Sequence, residues 1–282
     1  MSQIELFRNH NKVIINPNIS LKDPNNSLND LSGAEWKFAS KSVISKIFPI
    51  NMQHKLRSRH GGQKPPELCA DLIRTFTKTG QAVLDPLAGV GGTLLGASLC
   101  GRKATGIEIN PEWQQIYTEV CKLEGLEEQK MIVGDARDEL LKIPEETMDF
   151  ILTDVPYWNM DKLSHTRSKK TQKSKLSEFN GNEIQSKDDW LNEMRFIFEK
   201  CQGPIKKGGY MAVFIGDIYR GKEYHILSAE LANVISGLGG WVLKANLIWF
   251  DQSKSLHVYG YPHAFVPSMI HQNILIFRRE DG

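Results

Sequence analysis

The feature that most constrains this fold is a glycine-rich turn directly after a short apolar stretch. Residues 82–84 are apolar, and the chain continues Asp85-Pro86-Leu87-Ala88-Gly89-Val90-Gly91-Gly92-Thr93. Such a turn joins a buried strand to a helix, and its glycines let a bound ligand approach the backbone closely. The sequence therefore predicts a strand–turn–helix unit that binds a ligand at the turn.

Helix and strand patterns alternate from residue 65 to the end of the chain. The predicted helices are 65–76, 92–100, 111–123, 190–200 and 224–238. The predicted strands are 82–84, 103–107, 130–133, 148–153, 210–215, 241–250 and 272–277. Seven strands with helices between them predict a doubly wound, mostly parallel α/β sheet, and we expect the last two strands to form an antiparallel pair at its edge.

Composition sets the outer limits of this interpretation. Of 282 residues, 40% are apolar and 24% charged, as in an ordinary folded domain, and the net charge of +2 neither requires nor excludes nucleic acid. No apolar run nears the roughly 20 residues that span a bilayer, and the first residues lack signal-peptide features, so we expect a cytoplasmic protein without membrane contact. The four cysteines form no CxxC pair, which predicts reduced thiols and no metal site.

The chain divides into two parts by composition. Residues 1–60 are mostly polar at first and are predicted to be an accessory segment. Residues 61–282 carry the alternating pattern and are predicted to form the α/β domain, with a basic insertion at 159–187.

Three acidic residues, Asp85, Glu108 and Asp135, each follow a predicted strand. The carboxyl ends of parallel strands meet at one edge of a doubly wound sheet, where such folds bind ligands. Glu108 stands seventeen residues after Gly91, about where an acid reaches a ribose diol, and Asp135 could accept from an adenine amino group. Any one of these acids could instead cap a helix, but three of them beside a glycine turn indicate a nucleotide-like ligand.

The spacing of the turn favours S-adenosylmethionine (SAM) over NAD as that ligand. The dinucleotide motif requires glycine or alanine at its sixth position, and counting from Gly89 that position is Leu94. SAM has no pyrophosphate, so it needs close backbone approach and carboxylate partners more than a helix N-terminus. We therefore predict SAM as the cofactor and S-adenosylhomocysteine as its product.

A second motif, Asp154-Val155-Pro156-Tyr157, follows the fourth predicted strand. The lone pair of an exocyclic amine on a nucleobase is delocalised into the ring, so the amine is a poor nucleophile. The Asp154 carboxylate and the Pro156 carbonyl could each accept one N–H and direct the lone pair at a sulfonium methyl group, while Tyr157 stacks on a flipped-out base. This role requires that the Asp154 carboxylate is not tied up in a buried ion pair. Methylation of a ring carbon would need a cysteine nucleophile, and no cysteine is suitably placed.

A run of basic residues without any acid follows this motif, between Lys162 and Lys175. Such a run is often only a solvated loop, but its position favours contact with phosphates. The predicted nucleic-acid-binding residues are Trp158, Arg167, Lys169, Lys170, Lys173 and Lys175.

Taken together, these motifs resemble those of prokaryotic DNA amino-methyltransferases that modify adenine N6 or cytosine N4, over about residues 36–279. The resemblance implies a Rossmann-like class I methyltransferase fold with a seven-stranded, mostly parallel sheet and an antiparallel edge strand. It also implies that Asp154, Pro156 and Tyr157 are the catalytic residues. The cofactor-binding residues that it implies are Lys64, Pro65, Asp85, Pro86, Ala88, Gly89, Gly91, Thr93, Glu108, Ile109, Asp135 and Ala136.

The chain departs from this family pattern in two respects. Val155 replaces the first proline of the catalytic motif, which loosens the turn but removes neither acceptor nor the aromatic ring. The SAM elements precede the catalytic motif, whereas many relatives carry them in permuted order. Within the family that the chain resembles, aspartate at the position of Asp154 leans to adenine, whereas tryptophan at the position of Trp158 is common on the cytosine side. The resemblance therefore favours adenine and keeps cytosine as the alternative.

Several alternatives stay open at this point. RNA, for instance guanine N2 in tRNA, is a less favoured substrate, because RNA enzymes of this kind usually carry a sizeable N-terminal RNA-binding domain. A non-catalytic subunit that binds DNA and SAM would be expected to lose Asp154 or Tyr157, and a small-molecule methyltransferase would not need the basic run. The sequence leaves open whether the chain forms a homodimer or acts with a restriction enzyme in a restriction-modification system.

Overall fold

The structure, a computed structural model, describes residues 24–158 and 186–280 and is built on one eight-stranded sheet. The strands are β1 Val43–Ile44, β2 Ala82–Asp85, β3 Lys103–Glu108, β4 Lys130–Val133, β5 Met148–Asp154, β6 Ile205–Ile215, β7 Ile218–Arg220, β8 Glu223–His225, β9 Trp241–Phe250 and β10 His271–Arg279. Their order in the sheet is β1-β9-β10-β6-β5-β2-β3-β4, and β7 and β8 form a separate hairpin. All neighbours in the sheet run parallel except β10, which is antiparallel to both β6 and β9.

Helices cover both faces of the sheet. They are α1 Gly33–Ala39, α2 His54–Arg57, α3 Pro66–Phe76, α4 Gly92–Leu99, α5 Pro111–Glu124, α6 Ala136–Glu139, α7 Lys187–Lys200 and α8 Leu227–Ser236, with a 3₁₀ turn at Leu140–Lys142. Buried side chains of α3, α4 and α5 form the core on one face, and those of α6, α7 and α8 form it on the other. Within the described ranges, no helix combines the length and the apolar character needed to cross a membrane.

Local sequence explains where the principal helices begin and end. The Asn110 side chain accepts from the Glu112 amide, Pro111 opens α5 without an unmet donor, and Gly125 ends it at φ 64°. Ser186 and Asp189 form a reciprocal capping box at the start of α7. These signals position the helices between strands, as the alternating pattern predicts.

The doubly wound, mostly parallel fold is confirmed, and the structure differs from the prediction in several details, including the following. The antiparallel strand β10 lies between β6 and β9 instead of at the edge, because it hydrogen-bonds to both. The two-residue strand β1 adds an eighth member beside β9 and is too short to leave a periodic pattern. The predicted helix from residue 224 begins at Leu227, because Glu223–His225 pairs with Ile218–Arg220 in the hairpin.

The described part of the predicted N-terminal segment packs onto the sheet and its helices. Asn29 donates to the Thr75 carbonyl in α3 at 2.6 Å, and Asp30 pairs with the buried Arg102 at 3.3 Å. β1 then joins β9, where the Ile248 amide donates to the Ser42 carbonyl at 2.8 Å. A division at residue 60 stays a prediction about the organisation of the chain.

The topology gathers the ends of several strands at one edge of the sheet. Because β2, β3, β4, β5, β6 and β9 run in the same direction, their carboxyl ends all lie there. In register across the sheet, Asp154 pairs with Phe214, Phe214 with Ile274, and Ile274 with Leu247. We call this the carboxyl edge.

A substitution at Gly96 tests how closely α3 and α4 pack against each other. A Cβ at Gly96 would lie 2.7 Å from the Cys69 Cβ, 2.8 Å from the Pro66 oxygen and 2.9 Å from the Ala70 nitrogen. We expect Gly96→Ala to lower the free energy of unfolding in urea by about 1–3 kcal/mol, despite the better helix propensity of alanine. Gly203→Ala is the control, since its Cβ would meet nothing closer than 3.7 Å. Equal stability of the two variants would contradict this packing.

Candidate active site

The glycine-rich turn between β2 and α4 forms one wall of the site. Gly89 and Gly91 take left-handed conformations at φ 52° and 75°. A Cβ at Gly91 would also lie 2.3 Å from the Tyr117 ring, and one at Gly89 would lie 3.1 Å from His60. The conformation and the close contacts both require glycine at these positions.

An open cleft lies at the carboxyl edge beside this turn. Its lining residues are His60, Gly62, Gln63, Lys64, Asp85, Leu87, Ala88, Gly89, Val90, Gly92, Thr93, Asp154 and Phe214. The cleft thus brings together Lys64, the glycine turn and Asp154, which are far apart in the sequence.

The central contact of the site is an ion pair between Lys64 and Asp154. The Lys64 ammonium donates to the Asp154 Oδ2 atom, and it lies 5.3 Å from the centre of the Phe214 ring. The Lys64 side chain is only 8% exposed and the Asp154 side chain 22%, so the pair is largely withdrawn from water. Burial raises the pKa of Asp154 above its usual value, and the charge of Lys64 opposes that rise.

This ion pair corrects the expectation that the Asp154 carboxylate is uncommitted. Only one of its two oxygens is engaged, however. The Oδ1 atom is buried and has no hydrogen-bond partner among the described residues. A buried acceptor without a donor is costly, so this oxygen is available for an N–H group from a bound molecule.

Arg57, a residue without a predicted role, holds Lys64 in place. Its guanidinium is buried and donates to the carbonyls of Met52 at 2.7 Å, Lys64 at 3.1 Å and Asn51 at 3.3 Å. Burial lowers the pKa of Arg57. These three hydrogen bonds hold residues 51–64 in the conformation that places the Lys64 ammonium beside Asp154.

Two further carboxyl groups lie near the turn, and both are buried. The Glu108 Oε2 atom accepts from the Gly89 amide at 2.8 Å, and its Oε1 atom accepts from the Asn110 amide at 2.8 Å. Burial raises the pKa of Glu108 to about 7. Asp85 accepts from the Leu87 amide at 3.1 Å, and burial raises its pKa to about 6. Glu108 thus fixes the glycine turn through the Gly89 amide. Each carboxylate oxygen keeps a second lone pair, and the predicted contact with a ribose would use one of these.

Asp135 adopts the alternative role of a helix cap. Its Oδ1 atom accepts from the Arg137 amide at 2.9 Å at the start of α6, and its carboxylate pairs with the Arg137 guanidinium. The hydrogen bonds from Arg137 lower the pKa of Asp135. Asp135, Ala136, Glu108 and Ile109 are not among the residues that line the described cleft. Their predicted contacts with the cofactor stay predictions.

The rest of the catalytic motif lies just beyond β5. The Pro156 carbonyl accepts from the Trp190 indole of α7 at 2.8 Å, so one of its lone pairs is already engaged. Tyr157 packs on the Gly216 backbone, where a Cβ would lie 3.0 Å from its ring. Trp158 contacts the β7–β8 hairpin, with Arg220 4.6 Å above its ring and His225 edge-on at 5.4 Å. The hairpin therefore borders the catalytic motif.

The predicted basic contacts Arg167, Lys169, Lys170, Lys173 and Lys175 lie outside the described residues. Of the other predicted cofactor contacts, Lys64, Asp85, Ala88, Gly89 and Thr93 line the cleft. Pro65, Pro86 and Gly91 adjoin them in the chain.

Several lining residues were not among the predicted contacts, and His60 and Phe214 are two of them. His60 packs edge-on against Trp113, with ring centres 5.2 Å apart, and only the His60-Gly61-Gly62 run hints at its position. Phe214 is one of several apolar residues in β6, and nothing local distinguishes it.

The parallel sheet, its antiparallel strand β10 and the glycine turn at the carboxyl edge define a Rossmann-like class I methyltransferase fold. The chain belongs to the DNA methylase family, whose model matches residues 3–119 and 148–281. The predicted family is therefore confirmed.

Two kinds of curated relative match parts of the chain. The tRNA (guanine(10)-N2)-dimethyltransferase of Methanothermobacter thermautotrophicus is 33% identical over 118 residues, which are 41% of this chain and 34% of that protein. The type II methyltransferase M.SmaI of Serratia marcescens is 28% identical over 105 residues, which are 36% of this chain and 31% of that protein. The matches therefore span about a third of the length of these relatives.

Solved structures show the same fold at low sequence identity. TrmN from Thermus thermophilus is 16% identical with a TM-score of 0.52, over 79% of this chain and 52% of that chain. A SAM-dependent methyltransferase from Methanosarcina mazei is 14% identical with a TM-score of 0.50, over 75% of this chain and 98% of that chain.

Glu108 gives a prediction about stability and pH. Its folded pKa of about 7 lies above the ordinary 4.5, so its protonated form is favoured in the folded state. Its contribution to stability is therefore largest below pH 4.5 and is lost as pH rises towards 7. We expect the unfolding free energy of wild type minus that of Glu108→Gln to fall by about 3 kcal/mol over this window.

Urea unfolding of both proteins across this pH range measures the change. Because the two proteins share every other titratable group, their difference reports Glu108 together with its coupling to Asp85. A difference that stays constant with pH would show that Glu108 is not held in this buried position.

Proposed function

We propose that the chain transfers the methyl group of SAM to the exocyclic amine of a flipped-out DNA base, with adenine N6 as the favoured target. The observation that carries this proposal is the buried, unpartnered Oδ1 atom of Asp154 at the wall of the cleft. Family membership supports DNA as the substrate, since the matching model describes DNA methylases.

The residues present at the cleft suit SAM. The glycine turn offers close backbone approach, and Lys64 is a cation within reach of a carboxylate. Asp85 also lines the cleft, and its carboxylate would attract the positive sulfonium of the ligand. We assign Lys64, Asp85 and the turn from Ala88 to Thr93 to hold the cofactor, which supplies an electrophilic methyl group when bound.

Asp154 is the principal acceptor for the target amine. Lys64 fixes the Oδ2 atom, so the carboxylate cannot rotate freely, and Oδ1 is left to accept one N–H of the amine. Accepting this hydrogen draws the nitrogen towards tetrahedral geometry and exposes its lone pair. The amine must lose one proton when its new N–C bond forms, and Oδ1 is the atom placed to receive it.

Pro156 and Tyr157 complete the arrangement in unequal ways. The Pro156 carbonyl keeps one lone pair beyond the one that Trp190 engages, so it can still accept the second N–H. The Tyr157 ring is fixed against Gly216 and offers a stacking face for an unstacked base. We assign these two residues to positioning the base beside Asp154.

Cytosine N4 is the nearest alternative target, because the same acceptors suit its amine. An RNA amine is the second candidate, and the 33% identity to a tRNA (guanine(10)-N2)-dimethyltransferase is the observation that favours it. Within the described residues, nothing distinguishes these bases by contact, and the choice of adenine rests on Asp154 in the motif.

Nucleoside mass spectrometry of cells that lack other DNA methylases tests the proposal. We expect expression of the wild-type chain to produce N6-methyladenine in DNA. Asp154→Ala should lower the yield by about 100-fold or more, because it removes the acceptor of the amine proton. Calorimetry should show that Asp154→Asn, which keeps an oxygen acceptor for Lys64, binds SAM about as well as the wild type.

Asp154→Asn serves as the matched variant, since it keeps an oxygen acceptor of the same size. It should retain more activity than Asp154→Ala. N4-methylcytosine in DNA would shift the target base, and N2-methylguanine confined to tRNA would replace DNA with RNA. Full activity of Asp154→Ala would refute the acceptor role.

A further inference from the structure

The connection between β9 and β10 is an ordered projection from the carboxyl edge. We call residues 251–270 the finger. The Asp251 amide donates to the Ile270 carbonyl at 2.9 Å at its base, and Tyr259 bridges to Val266 as an antiparallel pair. At its tip the Ala264 amide donates to the Gly260 carbonyl at 2.7 Å. The finger is therefore a hydrogen-bonded hairpin.

The finger displays large apolar side chains to solvent. The exposed ones are Leu256 (75%), Val258 (82%), Tyr259 (44%), Tyr261 (80%) and Phe265 (89%). Single exposed apolar residues are common, but a group on one short projection indicates a binding surface. Phe265, the most exposed of them, has almost no contact with the rest of the protein.

The finger stands on the same edge of the sheet as Asp154. β9, from which it starts, is separated from β5 by β10 and β6, so its base lies roughly 14 Å from the end of β5. Lys254 near its base is close enough for its charge to interact with both Asp154 and Lys64. A molecule that places a base at Asp154 would therefore meet the finger.

The charge of the finger suits a polyanion. Between residues 252 and 270 there is no acidic residue, while Lys254, His257 and His263 are present. The acid at its base, Asp251, accepts from Ser253 at 2.6 Å. A surface that is apolar at the tip and carries no acidic residue beyond its base can enter a stack of bases between phosphates.

We propose that the finger is a wedge that enters the DNA base stack and fills the space left by the flipped-out base, with Phe265 as its leading side chain. This inference rests on the proposed function. Extruding a base forfeits its stacking with both neighbours. An aromatic side chain that inserts there restores part of that stacking and delays the return of the base.

Phe265→Ala tests the wedge on the full chain. The methylated sequence, found by sequencing the modified DNA, is placed in a duplex with 2-aminopurine at the target position. We expect wild-type enzyme to raise the 2-aminopurine fluorescence, and Phe265→Ala to lose most of that rise. On duplex substrate, kcat/KM should fall about tenfold or more, but on the same sequence as a single strand less than about threefold, since no base needs extrusion there.

Two variants control for a merely structural effect. Leu123→Ala also removes an exposed apolar side chain, since Leu123 is 56% exposed. It lies at the end of α5 that is remote from the carboxyl edge, so its loss should change neither the fluorescence rise nor kcat/KM. Phe265→Trp keeps an aromatic wedge and should retain the fluorescence rise.

An equal loss on duplex and single strand, or no loss on either, overturns the wedge but not the methyltransferase. A switch from dimer to monomer in sedimentation, with DNA methylation unchanged, assigns the surface to a second copy and also overturns it. Absence of any modified DNA from the wild-type chain would remove the proposed function and the wedge together.

Discussion

The ion pair between Lys64 and Asp154 is the contact on which the site depends. It joins the loop before α3 to the end of β5, ninety residues later in the chain, and so closes one side of the cleft. Withdrawing both charges from water is costly, and their attraction offsets that cost only with good geometry. Arg57 supplies the geometry by binding three carbonyls of the loop, including that of Lys64 itself. Loss of either partner would leave a buried charge unpaired.

The same ion pair influences both the protonation and the orientation of the Asp154 carboxylate. Burial alone favours the protonated carboxyl group, which could not accept an N–H through both oxygens, and the ammonium of Lys64 opposes that protonation. Because Lys64 occupies Oδ2, the orientation of Oδ1 is set before any substrate arrives. Electrostatic catalysis relies on acceptors that need no reorganisation during the reaction. The glycine turn lines the same cleft as Asp154 at this edge of the sheet.

Strong local patterns made most of the sheet predictable. β4 and β9 were predicted to the residue, and β2, β3 and β5 to within one, because each lies between recognisable turns or helices. The acids at the strand ends were identified, but not their partners: Glu108 with Gly89 and Asp135 with Arg137 depend on side-chain directions that spacing does not fix. The bond from Trp190 to Pro156 spans thirty-four residues, and β1 pairs with β9 across two hundred, so no window of sequence shows them. The Lys64–Asp154 pair belongs to the same class of long-range contact, although each residue was assigned to the site by itself.

A crystal structure of the chain with bound SAM tests the central claim most directly. The distance to measure is the one between the sulfonium methyl carbon and the Asp154 Oδ1 atom. The account predicts that the methyl group lies in the cleft and faces Oδ1, with space between them for an amine nitrogen. A methyl group directed away from Asp154, or an Oδ1 atom engaged by a second protein donor, would contradict it.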